Sequence, residues 1–95
     1  MAEPSTVQCR VIYYRGNVQG VGFRYTTQRI ASRFAIAGYV KNLPDGRVLV
    51  VVEGDQAELD RFVAAISDRL GHYVAEVQSS VHPAEGTFRG FGIEF

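Results

Sequence analysis

The chain has 95 residues, 46% of them hydrophobic, and its ten basic and ten acidic side chains leave a formal net charge of zero. That length holds one core rather than two, and the even charge balance excludes the broad attraction that drives tight binding to nucleic acid or anionic membrane, so any anion site must be local. The apolar run over residues 48–52, which no other run exceeds, suits a buried strand and falls far below the ~18 residues of a membrane span.

Residues 1–6 include Glu3 and Pro4 and lead into no apolar stretch of signal-peptide length. They are expected to be a flexible N-terminal segment ahead of a single domain over 7–95, in a cytoplasmic protein. From 7 to 15, β-branched and aromatic residues alternate, with Val7, Cys9, Val11 and Tyr13 on one side and Gln8, Arg10, Ile12 and Tyr14 on the other. This predicts a first strand. Cys9, the single cysteine, reads as a buried strand thiol and fits a reducing compartment.

Gly16, Gly20 and Gly22 interrupt the alternation, after which Phe23, Thr27, Ile30, Phe34 and Ala37 recur at helical spacing. An amphipathic helix closed by Gly38 is predicted. Residues 39–43 and 47–53 flank Pro44-Asp45-Gly46 and read as a β-hairpin. Asp55 then precedes a second helical pattern through Leu59, Phe62, Val63, Ile66 and Leu70, with Glu58 placed for a capping box. Residues 74–82 alternate again, 83–86 form a turn-rich loop, and 91–95 suit a short terminal strand. The predicted class is α+β: a ferredoxin-like split βαβ sandwich with two helices on one face of a four- to five-stranded antiparallel sheet.

The loop from Gly16 to the first helix differs from the start of the second. It offers no Ser, Thr, Asp or Asn just before the helix, so the first amides lack a side-chain cap and can attract an anion. Its glycines allow backbone N–H groups to converge, and Arg24 adds a permanently charged fork on the first turn. Plain alternatives stand beside this reading: such loops are usually simple turns, a first-turn arginine is usually a solvated charge, and Asn42 in Asn-Leu-Pro-Asp-Gly is ordinary turn chemistry.

His72 and His82 have no neighbouring grouping at zinc-ligand spacing, and no nucleophile elbow surrounds Ser32, Ser79 or Ser80. The segment from Arg89 to Phe95 resembles the RNP1 strand of RNA-recognition modules, which display aromatics to stacked bases. That strand is internal in those modules, whereas here it lies last, and the net charge is zero.

Val18-Gln19-Gly20-Val21-Gly22-Phe23-Arg24 and the stretch from Gly38 to Val48 through Asn42 together resemble the two signature segments of the acylphosphatase family. The resemblance spans nearly the whole chain and is loose between Arg69 and Arg89. Asn17 stands where the family often has a basic residue, Tyr39 where a tryptophan is common, and Gly22 where a bulkier or sulfur-containing residue is common.

The resemblance implies a ferredoxin-like fold and hydrolysis of acyl phosphates without cofactor or metal. It makes Arg24 the phosphate-binding catalytic residue, Asn42 the catalytic water-orienting residue, and the backbone of Asn17, Val18, Gln19, Gly20 and Val21 the phosphate cradle. The implied partner is a small acyl phosphate, with inorganic phosphate or sulfate able to fill the same loop; neither nucleic acid nor membrane is implied, and a monomer is expected.

Overall fold

The computed structural model describes residues 7–95, so the flexible segment expected over 1–6 lies outside the described residues. The elements run β1 (Val7–Gly16), α1 (Phe23–Ala31), β2 (Ile36–Asn42), β3 (Val48–Asp55), α2 (Gln56–Leu70), a short 3-10 turn (Gly71–Tyr73), β4 (Val74–Pro83) and β5 (Phe91–Glu94). They build a five-stranded sheet in the order β4-β1-β3-β2-β5. Among the described residues no helix is long and apolar enough to cross a membrane.

The two side-chain sets of β1 decide the layers. Ile12 and Tyr14 are buried, and they pair in register with Val50 and Val48 of β3, which are also buried. Val40 of β2 joins them, and α1 covers this face with Phe23 and Ile30 while α2 brings Leu59, Phe62 and Ile66. Each such side chain contributes about 1.5–3 kcal/mol on full burial, so the helix layer is held by the apolar stripes that the sequence periodicity marks. Phe62 meets Phe34 and Phe91 edge-on, at centroid distances of 6.0 Å and 5.6 Å.

The ferredoxin-like arrangement is as expected, but the sheet is mixed. β5 runs parallel to β2, from Gly38 beside Phe91 to Lys41 beside Glu94. Chain direction forces this. β4 is antiparallel to β1, while β1 and β2 are both antiparallel to β3, so β4 stops at the end of the sheet where β2 begins. A connection that crosses the sheet there must start β5 alongside the start of β2.

That connection, residues 84–90, passes over the face that carries no helices. Four strand spacings amount to about 19 Å, and the eight residue steps from Pro83 to Phe91 reach about 26 Å when extended, so the crossing is spanned with modest slack. Glu53 fastens it: the buried carboxylate accepts the N–H groups of Glu85 and Gly86 at 2.8 and 2.9 Å. Phe88 adds a tilted ring contact with Tyr39 at 5.8 Å. Glu53→Ala removes both acceptors, and at about 1–3 kcal/mol for stranded donors the melting temperature should fall by roughly 5–15 °C. Calorimetry checks this, and an unchanged transition would mean that the crossing is held by other contacts.

The first helix is shorter than its periodicity suggests. It ends at Ala31 rather than Ala37; Arg33 and Phe34 then donate to the carbonyls of Ile30 and Ala31 at 3.1 Å, a tight turn. Phe34 still reaches Phe62 from that turn, so the apolar period continues past the end of the helix. Ile36 and Ala37 already pair with Gly54 and Glu53. Gly38 is therefore a strand residue, and a Cβ there would overlap the carbonyl oxygen of Val51.

The second helix is capped as expected at Asp55, whose side chain accepts the Ala57 N–H at 3.1 Å. Glu58 reaches outward, accepting the Ala35 N–H at 2.8 Å and pairing with Arg61. The Ala35 N–H, and after it Arg61, hold the Glu58 carboxyl below the usual carboxylate range.

Candidate active site

The loop between β1 and α1 is clamped from both sides. The Asn17 N–H donates to the Tyr73 carbonyl at 2.9 Å, Val18 is wholly buried, and the Gln19 side-chain amide donates to the carbonyls of Leu43 and Arg47 at 2.8 and 3.0 Å. These bonds tie the loop to the β2–β3 hairpin. Gly20 and Gly22 take φ values of 80° and 77°, a region open to glycine with little penalty.

Gly22 occupies the N-cap position of α1 and supplies no side-chain cap; the first turn contains no acidic residue. The positive end of the helix dipole and the Arg24 guanidinium therefore lie together without a local counter-charge in that turn. Across from them, Asn42 ends β2 opposite Val48. The turn that follows is closed by other groups: Leu43 N–H to Arg47 carbonyl at 2.8 Å, Gly46 N–H to Leu43 carbonyl at 3.1 Å, and Arg47 N–H to the Asp45 carboxylate at 3.1 Å. The Asn42 Oδ1 atom is buried and, among the described residues, has no hydrogen-bond partner. Such an acceptor costs about 1–3 kcal/mol when left unpaired; the Tyr14 and Thr27 hydroxyls share this state within the fold.

Val18, Gly20, Gly22, Arg24 and Asn42 line one cleft of about 220 Å³. The structure thus brings together both side chains singled out in the sequence and two of the loop residues. The Asn17 N–H and the Gln19 side chain anchor the loop through the bonds above, and Val21 packs partly buried against the core. Among the described residues no group of three or more His, Cys, Asp or Glu side chains is placed to hold a metal ion.

Arg24 has support that the sequence does not announce. Its Nη1 donates to the Glu94 carbonyl at 3.4 Å, and its guanidinium carbon lies 4.8 Å from the Phe95 ring centroid. A long hydrogen bond and a cation–π contact restrict the rotamer while leaving other N–H groups of the fork free to bind an anion. Behind it, Phe23 meets Tyr14 at 5.2 Å. Burial pushes the Tyr14 phenol far upward, so it remains a neutral packing ring.

In the RNP1-like segment Phe91 packs edge-on against Phe62 of the helix layer, Phe95 is exposed, and β5 is an edge strand.

A sequence model of the acylphosphatase family matches residues 10–93. The chain is 41% identical to an acylphosphatase of Lactobacillus johnsonii over 92 residues, covering 95% of this chain and 98% of that protein. It is 58% identical to an acylphosphatase of Archaeoglobus fulgidus over 55 residues, 58% of this chain and 62% of the archaeal protein's length. Its fold resembles the crystal structure of acylphosphatase from Bacillus subtilis, with a TM-score of 0.80 at 34% identity, covering 94% of this chain and 99% of that one.

Proposed function

The chain belongs to the acylphosphatase family and is a hydrolase of that family; from that premise we propose that it cleaves the carboxyl–phosphate anhydride of small acyl phosphates without a metal. The phosphate sits at the open start of α1, held by loop amides around Gly20 and by Arg24. Asn42 orients the attacking water. The water oxygen bonds to phosphorus as the bond from phosphorus to the acyl oxygen breaks, the acyl group leaves as a carboxylate, and the proton from water passes to a phosphate oxygen.

The chemistry asks little of the protein beyond position and charge. A carboxylate is a good leaving group near neutral pH, so no strong general acid is required. Negative charge spreads over the equatorial phosphoryl oxygens in the transition state, where a guanidinium and fixed N–H donors stabilise it. Those donors are available here without a Lewis acid, which is the ground for proposing metal independence. Asn42 cannot take a proton at neutral pH, which leaves the substrate phosphate as the base.

The observation that carries this reading is the buried, unpaired Oδ1 of Asn42 in the same cleft as Arg24 and the uncapped helix start. It is tested by titrating the protein with inorganic phosphate and following amide resonances. Shifts concentrated at residues 20–25 are expected, together with competitive inhibition of turnover. Shifts scattered over the surface would contradict the placement. We further place the protein in the cytosol as a monomer, in keeping with its single buried thiol.

A further inference from the structure

We propose that the groove between α1 and β5 is an acyl-group subsite, suited to acyl phosphates whose acyl part ends in a second anionic group. The proposal rests on the reading of the neighbouring cleft as the phosphate site. Tyr25 lines both that cleft and the groove, which has a volume of about 560 Å³. That size falls within the ~300–1,000 Å³ typical of small-molecule sites.

The in-line geometry gives the groove its occupant. Attacking and leaving oxygens stand on opposite sides of phosphorus, so with water at Asn42 the acyl oxygen departs through another part of the cleft wall. Tyr25 belongs to that wall and continues into the groove. A substrate held by its phosphate can therefore lay its acyl portion over the Tyr25 ring.

The composition of the groove then selects the acyl group. Tyr25, Gln28, Arg29 and Ser32 recur at steps of three and four residues, so they share one face of α1. Ile36 and Phe91, both partly buried, supply an apolar side. No carboxylate lines the groove, and among the described residues Arg29, like Arg24, Arg33, Arg69 and Arg89, is in no ion pair; of these five it is the one that lines the groove. Arg29 is displaced from Tyr25 by about 6 Å along the helix axis. An acyl group with a ring or short carbon chain would meet Tyr25 and Phe91 with its apolar part and Arg29 with a terminal carboxylate.

The test compares kcat/KM for 4-carboxybenzoyl phosphate with kcat/KM for benzoyl phosphate in the wild type, in Arg29→Gln and in Arg33→Gln. Arg33 lies four residues on and lines a different cleft, so its variant has the same net charge change outside the groove. The wild type should favour the carboxylated substrate by about fivefold, the scale of one partly exposed ion pair. Arg29→Gln should abolish the preference and Arg33→Gln should keep it. Raising salt from about 20 mM to about 0.5 M should shrink the preference in the wild type.

Equal ratios in the wild type, or equal losses in both variants, would overturn the subsite while intact benzoyl phosphate hydrolysis left the phosphate site standing. Hydrolysis of neither substrate would overturn both.

Discussion

Arg24→Ala should lower kcat for benzoyl phosphate by about 10²–10³, or roughly 3–4 kcal/mol of transition-state stabilisation, with weaker phosphate binding as well. The size follows from what else is available. α1 offers uncapped amides and no acidic side chain in its first turn, so removal of Arg24 leaves only partial charges facing the phosphoryl oxygens. Arg24→Lys should recover part of the binding but little of the rate. Lysine keeps the charge and loses the planar fork, and with it the geometry that Glu94 and Phe95 support from β5 and the residue after it. Steady-state kinetics on both variants measures this, and an Arg24→Ala enzyme within a few-fold of wild type would remove Arg24 from the catalytic role.

Asn42→Ala should lose about a hundredfold in kcat, the scale of misplacing a reacting group by about an ångström, while the inhibition constant for inorganic phosphate stays close to that of the wild type. The division follows from the structure: the elements assigned to phosphate lie on the loop and α1, whereas Asn42 comes from the end of β2. The variant also deletes an unpaired buried acceptor, so it should fold at least as well as the wild type. That separates a catalytic loss from a structural one. Weakened phosphate inhibition with unchanged kcat would place Asn42 in binding instead.

Features set by neighbours in sequence could be read before the fold. Asp55 caps α2 because the cap needs only residues two or three positions away, and the Pro44-Asp45-Gly46 turn and the missing cap at Gly22 are local for the same reason. Where long-range packing decides, the sequence misled or was silent. The apolar period through Phe34 and Ala37 continued past the true end of α1, because Phe34 packs against the core from a turn and Ala37 keeps the same spacing as a strand residue beside Glu53. The parallel β5 follows from a crossing that no alternation pattern reveals.

The candidate site divides in the same way. Arg24 and Asn42 could be singled out by residue type and by the two resembling segments, and the fold places them on one cleft. The Gln19 bonds to Leu43 and Arg47, the Glu94 carbonyl on Arg24 and the Glu53 hold on the crossing join residues 24 to 70 positions apart. Their only signal in the sequence is a polar side chain in an otherwise unremarked place. Asn17, expected in the cradle, has its N–H bonded to Tyr73, a contact that depends on the 3-10 turn after α2.

The most direct test is hydrolysis of benzoyl phosphate by the purified protein in excess EDTA, with Arg24→Ala and Asn42→Ala carried through the same purification. Turnover undiminished by EDTA in the wild type and lost in both variants is the predicted result. Turnover that vanishes in EDTA, or that persists equally in the two variants, would contradict metal-free catalysis by this pair.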